Sequence, residues 1–429
     1  MSSRATTWTP NADSVGWSMA GLFLRSLQLG MVSTSALYLA AMTVFLFRPP
    51  DLDFYNVDRI AFLLLVFIVA LRTMAARDRI PFLPSISLPM LGLIALAVFR
   101  ALREPFDAET WSLVASKFVV PFVLMHIAIL VFRGRAERKH FEIFLLLTLG
   151  YLAFTAIAFL GDARNLIFPR FILDESIGHH VGRARGPFLQ AVANGVSLNM
   201  LGILALVLVQ GRRKIVLLLW LLLPLAILAT MTRAVWISFA VSTVALAIRL
   251  GDRCLRRACV AAAIAGFAAL LVIGVSGSSW TNALQDRTNE RGPVEARMAV
   301  YEAGWAMFQE HPVTGWTAGR MYEELARRME GYRLRSYYAH NTYLSLLVEF
   351  GLPGLLLYCF LLVGLFRLAR AGCGDGAKGG AVSNLRRAWP ILLGVFLINA
   401  CFVDMVYQFV NGLLFTVAGM LCASGEAGA

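Results

Sequence analysis

Charged side chains make up only 15% of the 429 residues, against 59% apolar ones, and that balance leaves too little polar surface to clothe a water-soluble fold. Cysteine is scarce as well. The six are Cys254, Cys259, Cys359, Cys373, Cys401 and Cys422; none lies in the two long polar stretches read below as loops, so no disulfide framework is offered to an oxidising compartment. No CxxC or Cys/His spacing suits a zinc site, and no metal or other cofactor is expected. Internal repeats are missing, whether direct or inverted, which counts against the two-halved plan of many transporters. The low-complexity sequence is a Gly-rich stretch from Ala371 to Gly380, and no appended soluble domain is expected.

What remains is hydrophobic. Mean hydropathy is +0.69, and apolar runs of about 17 to 24 residues, each long enough to cross a bilayer, fall at 27–47, 57–76, 86–103, 111–132, 141–161, 187–210, 214–232, 233–250, 258–276, 353–370, 388–405 and 408–424. The expectation is an all-α polytopic membrane protein with about twelve spans, a single domain over 1–429. The first run is long enough to stay as an anchor, so no cleaved leader is expected.

The formal charge of +13 invites a nucleic-acid partner until the cations are placed. One alternate set of short loops holds Arg72, Arg77 and Arg79; Arg133, Arg135, Arg138 and Lys139; Arg212, Arg213 and Lys214; Arg249, Arg253, Arg256 and Arg257; and Arg367, Arg370, Lys378, Arg386 and Arg387. The opposite short loops hold Arg48, Arg59, Arg100, Arg103 and Arg233. The positive-inside rule makes the first set cytoplasmic, both termini with it, and accounts for the surplus charge with no nucleic acid.

Two long segments then lie on the opposite side, Gly161 to Pro187 and the 277–339 loop inserted between spans. Loops of this length in a compact protein usually carry function. The second contains a helix from Val294 to Gln309 with Arg297, Tyr301, Trp305 and Phe308 on one face. An amphipathic helix follows from Thr317 to Glu330, with Met321, Leu325 and Met329 on one side and Arg320, Arg327 and Arg328 among the polar residues; such a helix can lie on a bilayer surface. The chain returns to apolar sequence at His340. Asn341 and Thr342 can cap the helix that starts there, and Gly351, Pro353 and Gly354 interrupt it after about three turns. A break at membrane depth is tolerated where backbone lines a cavity or packs on protein, so a cavity under His340 is expected.

His340-Asn341 followed by Leu, Glu and Gly-Leu-Pro-Gly resembles the C-terminal signature of the bacterial O-antigen ligase and polymerase superfamily. Its companions stand in the same order: Arg185-Gly-Pro-Phe with Asn194, the Thr230-x-x-Arg233 turn, and the Arg297-x-x-x-Tyr301-x-x-x-Trp305 helix running into His311-Pro-x-x-Gly-Trp316. The likeness covers roughly 183–354; the first half offers hydropathy alone. It implies a glycosyltransferase of the inner membrane, GT-C-like by analogy, whose site faces the periplasm. The donor would be an undecaprenyl diphosphate-linked glycan and the acceptor a lipid A core sugar, with membrane lipids around both. A polymerase shares these motifs; a protein O-oligosaccharyltransferase usually carries extra sequence after them.

The residue types suit that chemistry. Arginine forks bind phosphate oxygens two at a time and stay charged, which makes Arg185, Arg233 and Arg297 candidates for the diphosphate. A neutral histidine can take the acceptor hydroxyl's proton, which makes His340 the candidate base. Plainer roles stand beside these: His340 as a helix-entrance contact, Arg185 and Arg233 as snorkelling anchors, Arg297 as a partner of Glu295 or Glu302. Asn341, Tyr301 and Trp305 are accessory candidates. Asp404 can orient His340 or the acceptor, or merely cap a helix, and Lys117 can touch a phosphate or snorkel. Glu349, about 13 Å from His340 along a helix, is too distant to be its partner and is placed to brace the break. His179-His180 with Asp174 and Glu175 resembles a metal cluster only loosely. A transporter, flippase or scaffold explains less of the cation placement.

Overall fold

The computed structural model describes residues 33–47, 57–179, 181–209, 211–249, 252–275, 292–329, 338–369 and 381–426. Among them the long elements are all helices: α1 Thr34–Leu46, α2 Val57–Ala76, α3 Pro84–Ala101, α4 Ala108–Val131, α5 Arg135–Leu160, α6 Ala191–Leu208, α7 Arg213–Ala229, α8 Arg233–Arg249, α9 Arg253–Val275, α10 Gly292–Glu310, α11 Ala318–Arg328, α12 Thr342–Arg367, α13 Ala381–Ala400 and α14 Gln408–Glu426. Each expected span overlaps a described helix, though the 353–370 span is the second part of a helix that begins at Thr342. Seven of the described helices (α2 to α6, α12 and α13) are long and apolar enough to cross a membrane, while α1 and α14 are shorter apolar helices. The start of the first expected span, Arg48, His180, part of the 277–339 loop and the Ala371–Gly380 linker fall outside the described residues.

The bundle closes around α6, of which 94% of the spanning window is buried. Helices α5, α7 and α13 pack on it, α14 packs on α4, and α12 on α3. Lipid tails are as apolar as leucine, so such crossings depend on close backbone approach. A Cβ on Gly419 of α14 would fall 2.4 Å from the Met125 carbonyl oxygen of α4, and one on Gly364 of α12 only 2.3 Å from that of Ser85. Hydrogen leaves no gap at either crossing.

The polar segment before His340 folds as α10 and α11. The apolar stripe of α11 is the expected one, with Met321, Leu325 and Met329 at 0%, 1% and 3% exposure, but it is covered by Val300, Ala303 and Met307 of α10 together with Ala339 and Val348. The bilayer-surface expectation is therefore corrected: the stripe faces protein. Full burial of such a side chain stabilises by about 1.5–3 kcal/mol, enough to fix α11 on α10. Its polar side is paired too. Arg327 forks onto Glu324, and Arg328 binds both Glu310 and Glu324 and lies over Trp316.

Candidate active site

His340 takes a left-handed backbone conformation, φ 48°, uncommon for a residue with a side chain. The sequence fixes this turn from both sides. Asn341 is the N-cap of α12, its Oδ1 accepting from the N–H groups of Tyr343 (2.9 Å) and Leu344 (3.1 Å). Thr342 Oγ1 donates to the Val403 carbonyl at 2.9 Å and accepts from the Met405 N–H at 3.0 Å. The start of α12 is thus moored on the loop 401–407 between α13 and α14.

The same short loop gathers the rest of the site. Tyr301 of α10 donates its hydroxyl to the Cys401 carbonyl (3.2 Å), and Arg297, one turn earlier, lays its guanidinium over Phe402 at 5.8 Å. Arg297 pairs with neither Glu295 nor Glu302. Its charge bears on His340 instead. Burial is the largest effect holding the His340 imidazole below the ordinary histidine range; the charges of Arg297 and His179 add to it, and Asp404 opposes it. A neutral ring that can accept a proton is the outcome. Trp305, one turn beyond Tyr301, is 52% exposed and packs against Phe308.

Below His340, α12 breaks where the sequence places the break. Gly351 has φ 66° and ψ −167°, a conformation essentially restricted to glycine. The turn 311–316 fills the gap. Trp316 donates its N–H to the Val348 carbonyl (2.7 Å), Leu352 donates to the Pro312 carbonyl (2.8 Å), and Arg100 of α3 donates to the carbonyls of Trp316 (2.9 Å) and Glu349. Backbone groups freed by the break thereby find partners without water. A small cavity of about 40 Å³ lies by the start of α12, lined by Lys117, Thr342, Asp404, Met405 and Asn411 among apolar neighbours, and His340 is not part of its lining.

Residues 216–359 match the family model described as O-antigen ligase. That match, over less than half of the chain, supports membership of the O-antigen ligase superfamily. Members are glycosyltransferase-like enzymes of lipopolysaccharide biosynthesis, and the chain is a multi-pass membrane protein. No curated protein matches it. The matched segment runs from α7 into α12 and includes Arg233, Arg297, His340 and Asn341; Lys117, Arg185 and Asp404 lie beyond it.

Outside the matched segment, Arg185 is 4% exposed and donates to the carbonyls of Ile172 (3.0 Å), Ile177 (2.7 Å) and Asp174. Three of the five N–H groups of a guanidinium therefore shape the 161–187 loop, which brings His179 to the neighbourhood of His340. Asn194 holds the Ala184 carbonyl (2.8 Å), and the Ala184 N–H donates to Ala229 (3.0 Å) at the end of α7. That bond joins the Arg185 segment to the turn that carries Arg233, which is half-buried at the first residue of α8. Asp174 and Glu175 are exposed, and Asp174 turns back onto Ser176.

Sequence reasoning missed one constellation. Lys117 sits in a π-helical turn, Ala115–Val119, inside α4, a distortion common at functional sites. Its ammonium meets Asp404 at 2.9 Å and Glu349 at 3.6 Å, all three side chains below 10% exposure. Ser345 adds a hydroxyl donor to Asp404 at 3.0 Å. Lys117 is thus no snorkelling anchor, and Glu349 braces the break by pairing with it. The signal was available: three isolated charges in apolar spans must find one another or a partner.

Proposed function

We propose that this protein is an O-antigen ligase, an inverting glycosyltransferase that moves a glycan from undecaprenyl diphosphate to a sugar hydroxyl of lipid A core at the periplasmic face of the inner membrane. The observation that carries this reading is His340, kept neutral by burial and by Arg297 at the mouth of a broken helix, in a chain that matches this family model.

In the proposed step the acceptor hydroxyl oxygen attacks the anomeric carbon from the face opposite the diphosphate. Its proton passes to an imidazole nitrogen of His340, and the C–O bond to phosphate breaks with its electron pair leaving on the diphosphate. Arg233 and Arg297 stabilise that growing charge, and cations fixed in a largely dry site do so most strongly. Arg185 sets the loop beside them. With the leaving group stabilised by arginine, no metal is needed.

The test presents one purified donor with lipid A core or with a second copy of the donor. Transfer to lipid A core that His340→Ala reduces by about 10²–10⁴, the usual worth of a general base, is the expected result. Chain elongation with no transfer to lipid A core would leave the polymerase, the alternative within the superfamily. A His340→Gln variant of near-normal activity would show positioning in place of proton transfer.

A further inference from the structure

A second, larger cavity reaches Glu349, the partner of Lys117. It measures about 340 Å³ and is lined by Arg100, Glu104, Asp107 and Trp111 from the α3–α4 region, Arg320 and Glu323 from α11, and Glu349 and Phe350 from α12. This size is within the range of small-molecule sites, about 300–1,000 Å³. The floor is unusual. Glu349 is 7% exposed, yet its Oε2 has no hydrogen-bond partner, and its nearest cation, Lys117 Nζ, stands 3.6 Å away, too far for a good hydrogen bond. A buried acceptor in that condition is costly unless something donates to it.

The lining decides the class of donor. Four carboxylates, Glu104, Asp107, Glu323 and Glu349, face two guanidinium groups, Arg100 and Arg320, and Arg100 already serves the Trp316 and Glu349 carbonyls. A phosphate is disfavoured by that balance. A hydroxyl-rich ring is favoured: carboxylates accept from hydroxyls, Arg320 donates to them, and Trp111 offers an aromatic surface for the apolar side of a pyranose. The cavity has room for one or two such rings. Its position matches as well, since Glu349 lies about two turns into α12, the helix that starts just after His340.

We infer that the cavity between the α3–α4 connection and α11 is a sugar-binding subsite that holds a pyranose unit of one glycan substrate, with Glu349 at its floor and Glu323, Arg320 and Trp111 at its walls. The identity of the ligand class rests on the glycosyltransferase reading; the existence of the subsite does not depend on His340 chemistry.

The experiment measures binding without turnover. Full-length protein in nanodiscs is titrated with two free saccharides, a core oligosaccharide released from lipid A and a single repeat unit of the donor glycan without its diphosphate, and saturation-transfer NMR reads the contact. One of the two should bind wild-type and His340→Ala protein equally, which identifies the glycan concerned. Glu323→Gln, an exposed position, and Trp111→Ala should each raise the dissociation constant about tenfold or more and raise KM for the same glycan while leaving kcat within twofold. Binding by neither saccharide, or binding indifferent to both substitutions, would overturn the subsite. Saccharide binding without transfer to any acceptor would sink the ligase reading and leave the subsite standing.

Discussion

Gly315 and Gly351 face one another with no space for a side chain on either. A Cβ on Gly351 would lie 2.6 Å from the Val313 carbonyl oxygen, and one on Gly315 would lie 2.6 Å from that of Glu349 and 2.7 Å from the Gly351 nitrogen. Both have positive φ. The turn after α10 and the break in α12 are therefore one interlocked unit, and it holds Glu349 and the start of α12 in place.

Gly351→Ala should cost at least the 1–3 kcal/mol of its backbone conformation, with more from the collision. Gly315→Ala should behave alike, because it damages the same contact. Thermal unfolding of the detergent-purified protein should fall by several degrees in each, and the double variant should lose less than the sum of the two. Unfolding temperatures equal to wild type would show that the two backbones do not depend on one another.

The break itself was legible because glycine and proline act through local backbone geometry. The Asn341 cap and the stripe of Met321, Leu325 and Met329 were legible for the same reason: each is set within a few residues. What covers that stripe was not, since apolar periodicity looks the same whether the partner is lipid or Val300 of α10. The role of the 401–407 loop was hidden as well. Its Cys401, Phe402, Val403 and Met405 act mainly through backbone carbonyls, an amide or a ring face, to which composition is blind. Only Asp404 announced itself, and its partner Lys117 is 287 residues away.

The pH dependence of transfer should carry the signature of His340. The ring must be neutral to accept a proton, so activity should fall as pH drops through its depressed pKa and hold on the alkaline side. Arg297 opposes ring protonation, so Arg297→Gln should raise that pKa and move the acid limb to higher pH. The substitution should also lower kcat by about a hundredfold, the usual worth of one transition-state donor. A lowered kcat with an unmoved acid limb would separate Arg297 from the base.

Arg185→Lys should loosen the 161–187 loop. A lysine cannot reach three carbonyls set around a planar fork, and each bond from a charged donor is worth about 1.5–3 kcal/mol. Hydrogen exchange should quicken across 172–179 and stay unchanged in α12. Activity lost with exchange untouched would assign Arg185 to the diphosphate directly.

The buried group of Lys117, Asp404 and Glu349 supplies the sharpest contrast. Removing one member of a buried ion pair leaves its partner uncompensated, at a cost of about 3–5 kcal/mol. Lys117→Met strands two carboxylates and should be the most damaging single change of the three. Lys117→Met combined with Asp404→Asn removes one of the stranded charges and should recover part of the lost stability. Asp404→Asn alone has a second consequence, because Asp404 is the carboxylate that favours protonation of His340. Its loss lowers the His340 pKa, and the acid limb should move to lower pH, opposite to the shift from Arg297→Gln. A merely structural Asp404 would reduce stability and yield with no movement of the limb. Opposite displacements in the two variants, measured on folded protein of known concentration, would show that Arg297 and Asp404 act on the same proton.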